Sequence, residues 1–358
     1  MDVELIDNPE ALPALRSDWT DLLARSSHVT PYMSHEWVTT WWRHFGRPGT
    51  LRVVCARDQG ELVGIAPLEQ TRITVRGLPL LRCLSIIGGK EADYKGLPLD
   101  HARRWEAGAA LVRFCREEIP GWDLLLTRGL HQDSPVNYLL PVIAAQLNLS
   151  HRAWAGAVCP YVPLPGEGPD SWPEYRRRGI IKTFLRARNR LTEKHGAVTR
   201  VYEGPEAVAA LPEFLRLHAA GWQDRGGSQA IPGEKWESLH LDLARACQDT
   251  GMVKVALLET PEGALAAEYL LAWGPRVHVY LGGVDPAWRK MSPGSVIRLQ
   301  MIDEFAARGY DEYDIMRGEE AYKFNFTQVA RTTVGHVLAK SPALLRRYEL
   351  LEAFGRER

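Results

Sequence analysis

The sequence predicts an α/β protein of two tandem halves, each a mixed, mainly antiparallel sheet flanked by helices. Three observations lead there. A chain of 358 residues is too long for one small core. The same succession of patterns, helices first, then a strand meander, one helix and returning strands, occurs twice along it. Between the two passages lies Pro163-Leu164-Pro165-Gly166-Glu167-Gly168-Pro169-Asp170, where proline and glycine break helix and strand alike. The expected division is residues 1–162, a linker at 163–171, and residues 172–358.

In the first half, helical periodicity covers Asn8 to Ala24 and His35 to Phe45. Strand-like runs follow at Leu51 to Ala56, Leu62 to Leu68 and Leu80 to Ile87. A helix from Arg103 to Glu118, a strand from Asp123 to Thr127, a helix from Val136 to Leu147 and a strand-rich segment from Ala153 to Val162 complete it. The second half opens with helices at Trp172 to Lys194, Pro205 to Trp222 and Pro232 to Thr250. Strands at Val253 to Leu258, Leu265 to Ala272 and Val277 to Leu281, a helix from Val296, and strands at Tyr313 to Ile315 and Thr332 to Ala339 close it.

Composition bounds the function. Hydrophobic residues make up 45% and charged residues 25%, the balance of a soluble globular protein. Lys+Arg and Asp+Glu both number 44, so no overall field draws the chain to nucleic acid or an acidic membrane, and recognition by charge must be local. Cys55, Cys83, Cys115, Cys159 and Cys247 are scattered, odd in number and never spaced as Cys-x-x-Cys, which points to buried thiols in a reducing, cytoplasmic compartment and to no structural zinc. The acidic start Met1-Asp2-Val3-Glu4-Leu5 is unlike a signal peptide, and no apolar run is long enough to span a bilayer.

The stretch Arg289-Lys290-Met291-Ser292-Pro293-Gly294-Ser295 stands between a strand-like run and a helix-like run. That order suits an anion: the N–H groups of the first helical turn are exposed, the helix dipole favours negative charge, and glycine lets the backbone approach closely. Arg289, Lys290, Ser292, Gly294, Ser295 and Val296 are therefore the candidate phosphate-binding residues. A loop capped by Ser292 at the start of an ordinary helix is the competing reading.

The order Arg-x-x-Ser-x-Gly resembles the Arg/Gln-x-x-Gly-x-Gly/Ala loop with which GNAT-type N-acyltransferases hold the pyrophosphate of coenzyme A, Ser292 standing where the first glycine would be. Asp314-x-x-x-Gly318-x-x-x-Tyr322-Lys323, His218-x-x-x-Trp222-x-x-Arg225-Gly226, Ser34-His35-Glu36-Trp37 and Gly64-Ile65-Ala66-Pro67-Leu68 are similar to segments of the CelD-like acetyltransferases, a group associated with cellulose and exopolysaccharide biosynthesis. The resemblance runs over roughly residues 20 to 330. It implies two tandem GNAT-like domains, comparable to the aminoacyl transferases that build peptidoglycan bridges, with one acyl-CoA site in the second. The matching stretch of the first half, Gly88 to Gly96, is acidic and longer, and would repel a pyrophosphate.

The expected reaction is transfer of an acyl group, acetyl in the first instance, from acetyl-CoA or another acyl-CoA to an amine or hydroxyl of a small sugar-like or amino-acid-like acceptor. No metal, nucleic acid or membrane insertion is involved. Direct attack on a thioester needs a base, donors for the carbonyl oxygen and an acid for the departing thiolate. Tyr322 is the candidate acid, because many GNAT enzymes place a tyrosine near the sulfur after the strand that follows the cofactor helix. Glu268, a carboxylate inside an apolar strand, is the leading base candidate, followed by His278; Asp314 is a base candidate or a turn cap. Glu91, Asp93 and Tyr94 of the acidic loop, with His218, Trp222 and Lys323, are the candidate acceptor contacts, expected across an interdomain cleft. Arg178, Lys182, Arg186 and Arg190, at i+4 steps, form a basic stripe that reads first as a solvated face. An aminoacyl transferase of the peptidoglycan-bridge type and a catalytically silent GNAT-like binding scaffold are the alternatives.

Overall fold

A computed structural model describes residues 1–75, 78–164, 178–223 and 226–356. Most of the expected linker, from residue 165 on, lies outside the described residues. So do residues 172–177, the start of the helix expected from Trp172, and Arg225. In chain order the elements are β1 (Asp2–Ile6), α1 (Arg16–Arg25), α2 (His35–Phe45), β2 (Leu51–Asp58), β3 (Glu61–Val75), β4 (Leu78–Ile86), α3 (Arg104–Glu117), β5 (Leu124–His131), α4 (Val136–Gln146) and β6 (Ser150–Pro163). There follow α5 (Gly179–His195), β7 (Val198–Glu203), α6 (Gly204–Trp222), α7 (Glu234–Ala246), β8 (Val253–Thr260), β9 (Gly263–Trp273), β10 (Arg276–Val284), α8 (Pro293–Ala307), β11 (Glu312–Asp314), β12 (Ala330–Ala339) and α9 (Pro342–Arg356). The helix expected from Asn8 is interrupted. Pro13 cannot donate a helix hydrogen bond, so Pro9–Leu15 form a 3-10 turn capped by Asn8 before α1 begins.

The chain divides into two compact units, residues 1–157 with 332–358, and residues 158–331. This differs from the expected division in two respects: residues 158–162 fall in the second unit, and the last strand and helix belong to the first. β12 pairs antiparallel with β5, from Thr333 opposite His131 to Ala339 opposite Leu124. Val337, Ala339 and Tyr348 of α9 pack with Leu81, Cys83 and Leu124. Burial of those apolar faces outweighs proximity in sequence.

In the first unit the strands run β1-β2-β3-β4-β5-β12. All neighbours are antiparallel except β4 and β5, which run parallel over Cys83, Leu84 and Ser85 opposite Leu124, Leu125 and Leu126, connected through α3. Leu111, Val112, Leu139 and Ile143 of the covering helices close on Val54, Val63, Leu84 and Leu125. The second unit repeats the order as β7-β8-β9-β10-β11-β6, with β10 and β11 the parallel pair and α8 the crossover. Here Ile181, Phe184, Leu299, Ile302 and Phe305 pack with Ala256, Leu270 and Val277. α8 buries residues on every side, which explains its lack of an amphipathic pattern.

Candidate functional site

The second unit builds its site where two parallel strands part. β10 and β11 share only three rungs, Arg276 with Glu312, Val277 with Tyr313 and His278 with Asp314. Beyond them β10 continues along β9 to Val284, while Asp314 Oδ1 accepts the N–H of Met316 at 2.7 Å and turns the chain away, Met316 taking φ 62°. The β9–β10 register shifts between Val279 and Leu281, leaving Tyr280 as an extra residue that redirects the strand at the fork.

From Val284 the chain enters a 3-10 turn, Pro286–Met291, capped by the Asp285 carboxylate, which accepts the N–H of Ala287 at 2.9 Å. Ser292 then adopts φ 52°, ψ 44° and starts α8. The serine has taken the left-handed conformation that glycine adopts without strain. Its carbonyl accepts from the N–H groups of Ser295 and Val296 at 3.0 and 3.1 Å, and its side chain makes no cap. Arg289, Lys290 and Ser292 are exposed. Arg289 also donates to the Gly221 carbonyl at 2.7 Å, which ties the turn to the end of α6. A Cβ at Gly294 would stand 2.9 Å from Cγ2 of Val284, so glycine there allows the helix to meet β10.

Beneath the turn lies a buried polar network. Glu268 of β9, Arg298 of α8 and Tyr313 of β11 are all buried. Nε of Arg298 lies 2.9 Å from Oε1 of Glu268, and the Tyr313 hydroxyl donates to Oε2. Burial pushes the Glu268 carboxyl up from its ordinary range, and Arg298 and the Tyr313 hydroxyl pull it back. Burial opposes the Arg298 charge too, but Glu268 beside it keeps the guanidinium protonated. Both oxygens of Glu268 thus have donors. The guanidinium of Arg298 also lies 5.2 Å from the ring centre of Tyr322 and hydrogen-bonds with that residue. Tyr322 is 47% exposed, so it is the solvent end of a chain that runs Tyr322, Arg298, Glu268, Tyr313.

The other candidates fall into different surroundings. His278 is buried, with Nδ1 4.0 Å from Oδ2 of Asp314; burial, aided by Arg331 and Arg276, lowers it to about 3, so its ring is neutral at pH 7. Asp314 lies inside the same cluster, 3.9 Å from Arg331, whose guanidinium pairs with Glu312 and stacks 3.7 Å over the Tyr161 ring. Lys323 is buried and donates to the carbonyls of Met316 and Arg317, clasping the turn before Tyr322, and it pairs with Glu320 at 3.1 Å. His218 is interior: Nδ1–H donates to the Gly282 carbonyl at 2.8 Å and Nε2 accepts from the Ser228 hydroxyl at 2.7 Å, itself held by the N–H groups of Ala230 and Ile231. Burial lowers its pKa. Trp222, one turn on, is the exposed member of that pair.

In the first unit the acidic loop is folded inward. Glu91 accepts from Trp41 Nε1 at 3.2 Å, Lys95 donates to the Gly89 carbonyl at 2.7 Å, and Asp93 is half-buried. Tyr94, expected to face an acceptor, is fully buried at φ 43°, its ring edge against His131. Glu69 beside the loop is raised to about 7 by burial, against the pull of Lys95 and Arg47. The turn entering α3 has its own anion: Asp100 accepts the N–H groups of Ala102 and Arg103 at 3.0 and 3.2 Å.

Sequence reasoning missed Arg298 and Tyr313. The signal was present for the arginine: a single charge within the apolar run Val296-Ile297-Arg298-Leu299, matching the single carboxylate in the strand around Glu268.

α5 touches both ends of the site. Phe184 stacks on Phe326 at 5.5 Å beyond Tyr322, and His195 meets Trp288 edge-on at 4.8 Å in the basic turn. Lys182, Arg186 and Arg190 are exposed along the outer side of α5. Among the described residues no helix is long and apolar enough to cross a membrane.

Residues 177–324 match the family described as acetyltransferase (GNAT) domain. A comparison with curated proteins finds no match. Among solved structures, FemX is similar at TM-score 0.67 and 12% identity, over 97% of this chain and 99% of that one. The C-terminal domain of a putative lysylphosphatidylglycerol synthetase from Agrobacterium fabrum gives TM-score 0.58 and 12% identity over 94% and 95% of the two chains. L-PGS from Bacillus licheniformis gives 0.57 and 12% over 96% of each. The forked parallel pair, the helix crossover and these likenesses agree: the chain has the GNAT acyltransferase fold, as two tandem GNAT-like domains.

Proposed function

We propose that the second unit is an acyl-CoA-dependent N- or O-acyltransferase, with acetyl-CoA as the donor. The observation that carries this reading is the fork between β10 and β11 with a basic, glycine-like turn opening α8 at its mouth. The residues fit the donor. Arg289 and Lys290 offer charge-assisted bonds to phosphates, and the start of α8 offers a positive dipole end. Acetyl-CoA, when bound, supplies the acyl group as a thioester.

Tyr322 serves as the general acid. Arg298 donates to the tyrosine and holds it, so that the phenolic O–H is left to protonate a departing thiolate. Glu268, with both oxygens occupied, positions Arg298 rather than accepting a proton from the acceptor. Trp222 gives the acceptor an exposed ring face near the end of α6. A sugar or amino-acid-like amine or hydroxyl suits such a site, and the CelD-like segments favour a precursor of an extracellular polysaccharide. Five buried thiols suit a reducing, cytoplasmic setting.

Calorimetric titration with acetyl-CoA tests the assignment. The expected result is binding at one site per chain, weakened about 10-fold or more in Arg289→Ala, the order of one lost charge-assisted bond. Wild-type protein that ignores coenzyme A overturns it. The similarity to FemX over nearly the whole chain and the exposed stripe on α5 support a second reading, an aminoacyl transferase fed by charged tRNA. Binding of tRNA in place of acetyl-CoA is its mark, and donor binding without turnover on any acceptor marks a scaffold.

A further inference from the structure

His28, His131 and Asp133 meet in the first unit, and none of them is used in the function proposed above. One donor atom from each lies within 4.8 Å of the others. His28 comes from the segment between α1 and α2, His131 ends β5, and Asp133 follows in the next turn. No spacing rule reveals such a set, because more than a hundred residues separate the first donor from the second; the absence of Cys-x-x-Cys bears only on thiolate sites.

Two features suit a cation. Nδ1 of His131 accepts the backbone N–H of Asp133 at 3.1 Å, so this nitrogen is unprotonated and able to coordinate, and the Asp133 carboxylate lies close by, with Oδ2 3.7 Å away. The two imidazole ring centres stand 5.5 Å apart. With metal–nitrogen bonds of about 2.0–2.1 Å, two imidazoles on one tetrahedral ion place their ring centres about 5 Å apart, so a small inward movement closes the set. The Tyr94 ring, edge-on at 5.0 Å, and the burial of His131 fix one imidazole, while the Asp133 side chain is 55% exposed and able to adjust.

We propose that His28, His131 and Asp133 bind one divalent first-row transition-metal ion, zinc by preference, leaving a fourth position to water on the exposed side. The two imidazoles are borderline nitrogen donors that favour such ions over magnesium or calcium, and two imidazoles with one carboxylate match a zinc site with an open position. The ion would pin the segment after α1 to the end of β5. Coordination at Nδ1 of His131 exchanges the contact with the Asp133 N–H for a metal bond.

The test uses full-length protein stripped with a chelator and titrated with Co²⁺, read by its visible absorption, then with Zn²⁺ in competition. Asp133→Ala changes an exposed side chain, and His28→Gly places glycine at φ 52°, where it relieves strain, so both variants should fold, as circular dichroism will show. The expected result is one ion per chain with an absorption pattern of tetrahedral Co²⁺, affinity at least tenfold weaker in each variant, and a zinc-dependent rise in Tm that both variants lose. Wild-type affinity no better than millimolar, or variants that bind as tightly as wild type, would overturn the proposal, the latter placing the ion on surface histidines.

Discussion

Arg298 and Glu268 form a buried ion pair, with Nε 2.9 Å from Oε1, between the crossover helix and the strand beside the fork. Breaking such a pair from one side leaves a charge without its counterpart in a low-dielectric interior. Arg298→Met or Glu268→Gln should each cost about 3–5 kcal/mol, while the double variant should cost clearly less than their sum. Urea unfolding of the four proteins checks this, and additive losses would mean that the pair is not coupled.

Tyr322→Phe keeps the ring under the guanidinium and removes only the hydroxyl. Turnover should fall about 100-fold or more while acetyl-CoA affinity stays within about twofold, the pattern of a group used in the transition state. Single-turnover thioester cleavage at saturating donor is the measurement. Unchanged turnover would remove Tyr322 from the chemistry.

Ser292 at φ 52° carries strain that a glycine would not. Left-handed backbone costs an L-residue about 1–2 kcal/mol, and glycine gives back roughly half of the gain through greater freedom in the unfolded chain. Ser292→Gly should therefore raise stability by up to about 1 kcal/mol, and Ser292→Val should lower it. Denaturation midpoints decide, and a less stable glycine variant would show that the serine hydroxyl holds the turn.

His336 donates Nε2–H to Asn137 Oδ1 at 3.1 Å and stacks on His151, whose Nε2 lies 3.0 Å from its Nδ1. Burial, and to a lesser degree His151, lowers its pKa to about 4. An unfolded histidine takes up a proton below pH ~6.5, whereas this one resists until about 4, so the unfolded chain binds more protons in that window. Stability should fall as the pH drops from ~6.5 towards 4, by about 3 kcal/mol from His336 alone. His336→Gln should flatten part of that slope and leave the share due to His278, which is held near 3. Equal slopes for the variant and wild type would refute this.

All five cysteines are buried thiols, and burial raises Cys55, Cys83 and Cys115 to about 12. Ellman's reagent should label none of the five within minutes under native conditions and all five in denaturant. Rapid native labelling would point to local opening around the thiol concerned. A low thiol background also makes release of coenzyme A directly measurable.

Legibility in the sequence followed the range of the interactions. Strands such as Val253–Thr260 and helices such as Val136–Gln146 carry their own periodicity and were readable within a few residues. The edge strand Asp2–Ile6 was not, because five residues, none of them fully buried, carry too little pattern. Glu268 stood out as a carboxylate among apolar residues, but its partners Arg298 and Tyr313 came into view only when the fold joined positions thirty and forty-five residues away. The loop from Gly88 to Gly96 reads as solvated by its charges, yet Tyr94 and Lys95 turn inward because the core offers an aromatic contact and a carbonyl.

The return of β12 to β5 sets an order of events on the ribosome. Until the returning segment from Thr332 onward emerges, Leu125 and Leu126 sit on an open strand border, while the second unit, a continuous stretch, is free to close first. A nascent chain halted near residue 331 would present that apolar border to its neighbours, a template for clumping that chaperones must shield. Quality control would thus sense a premature stop even when it spares every residue of the proposed active site.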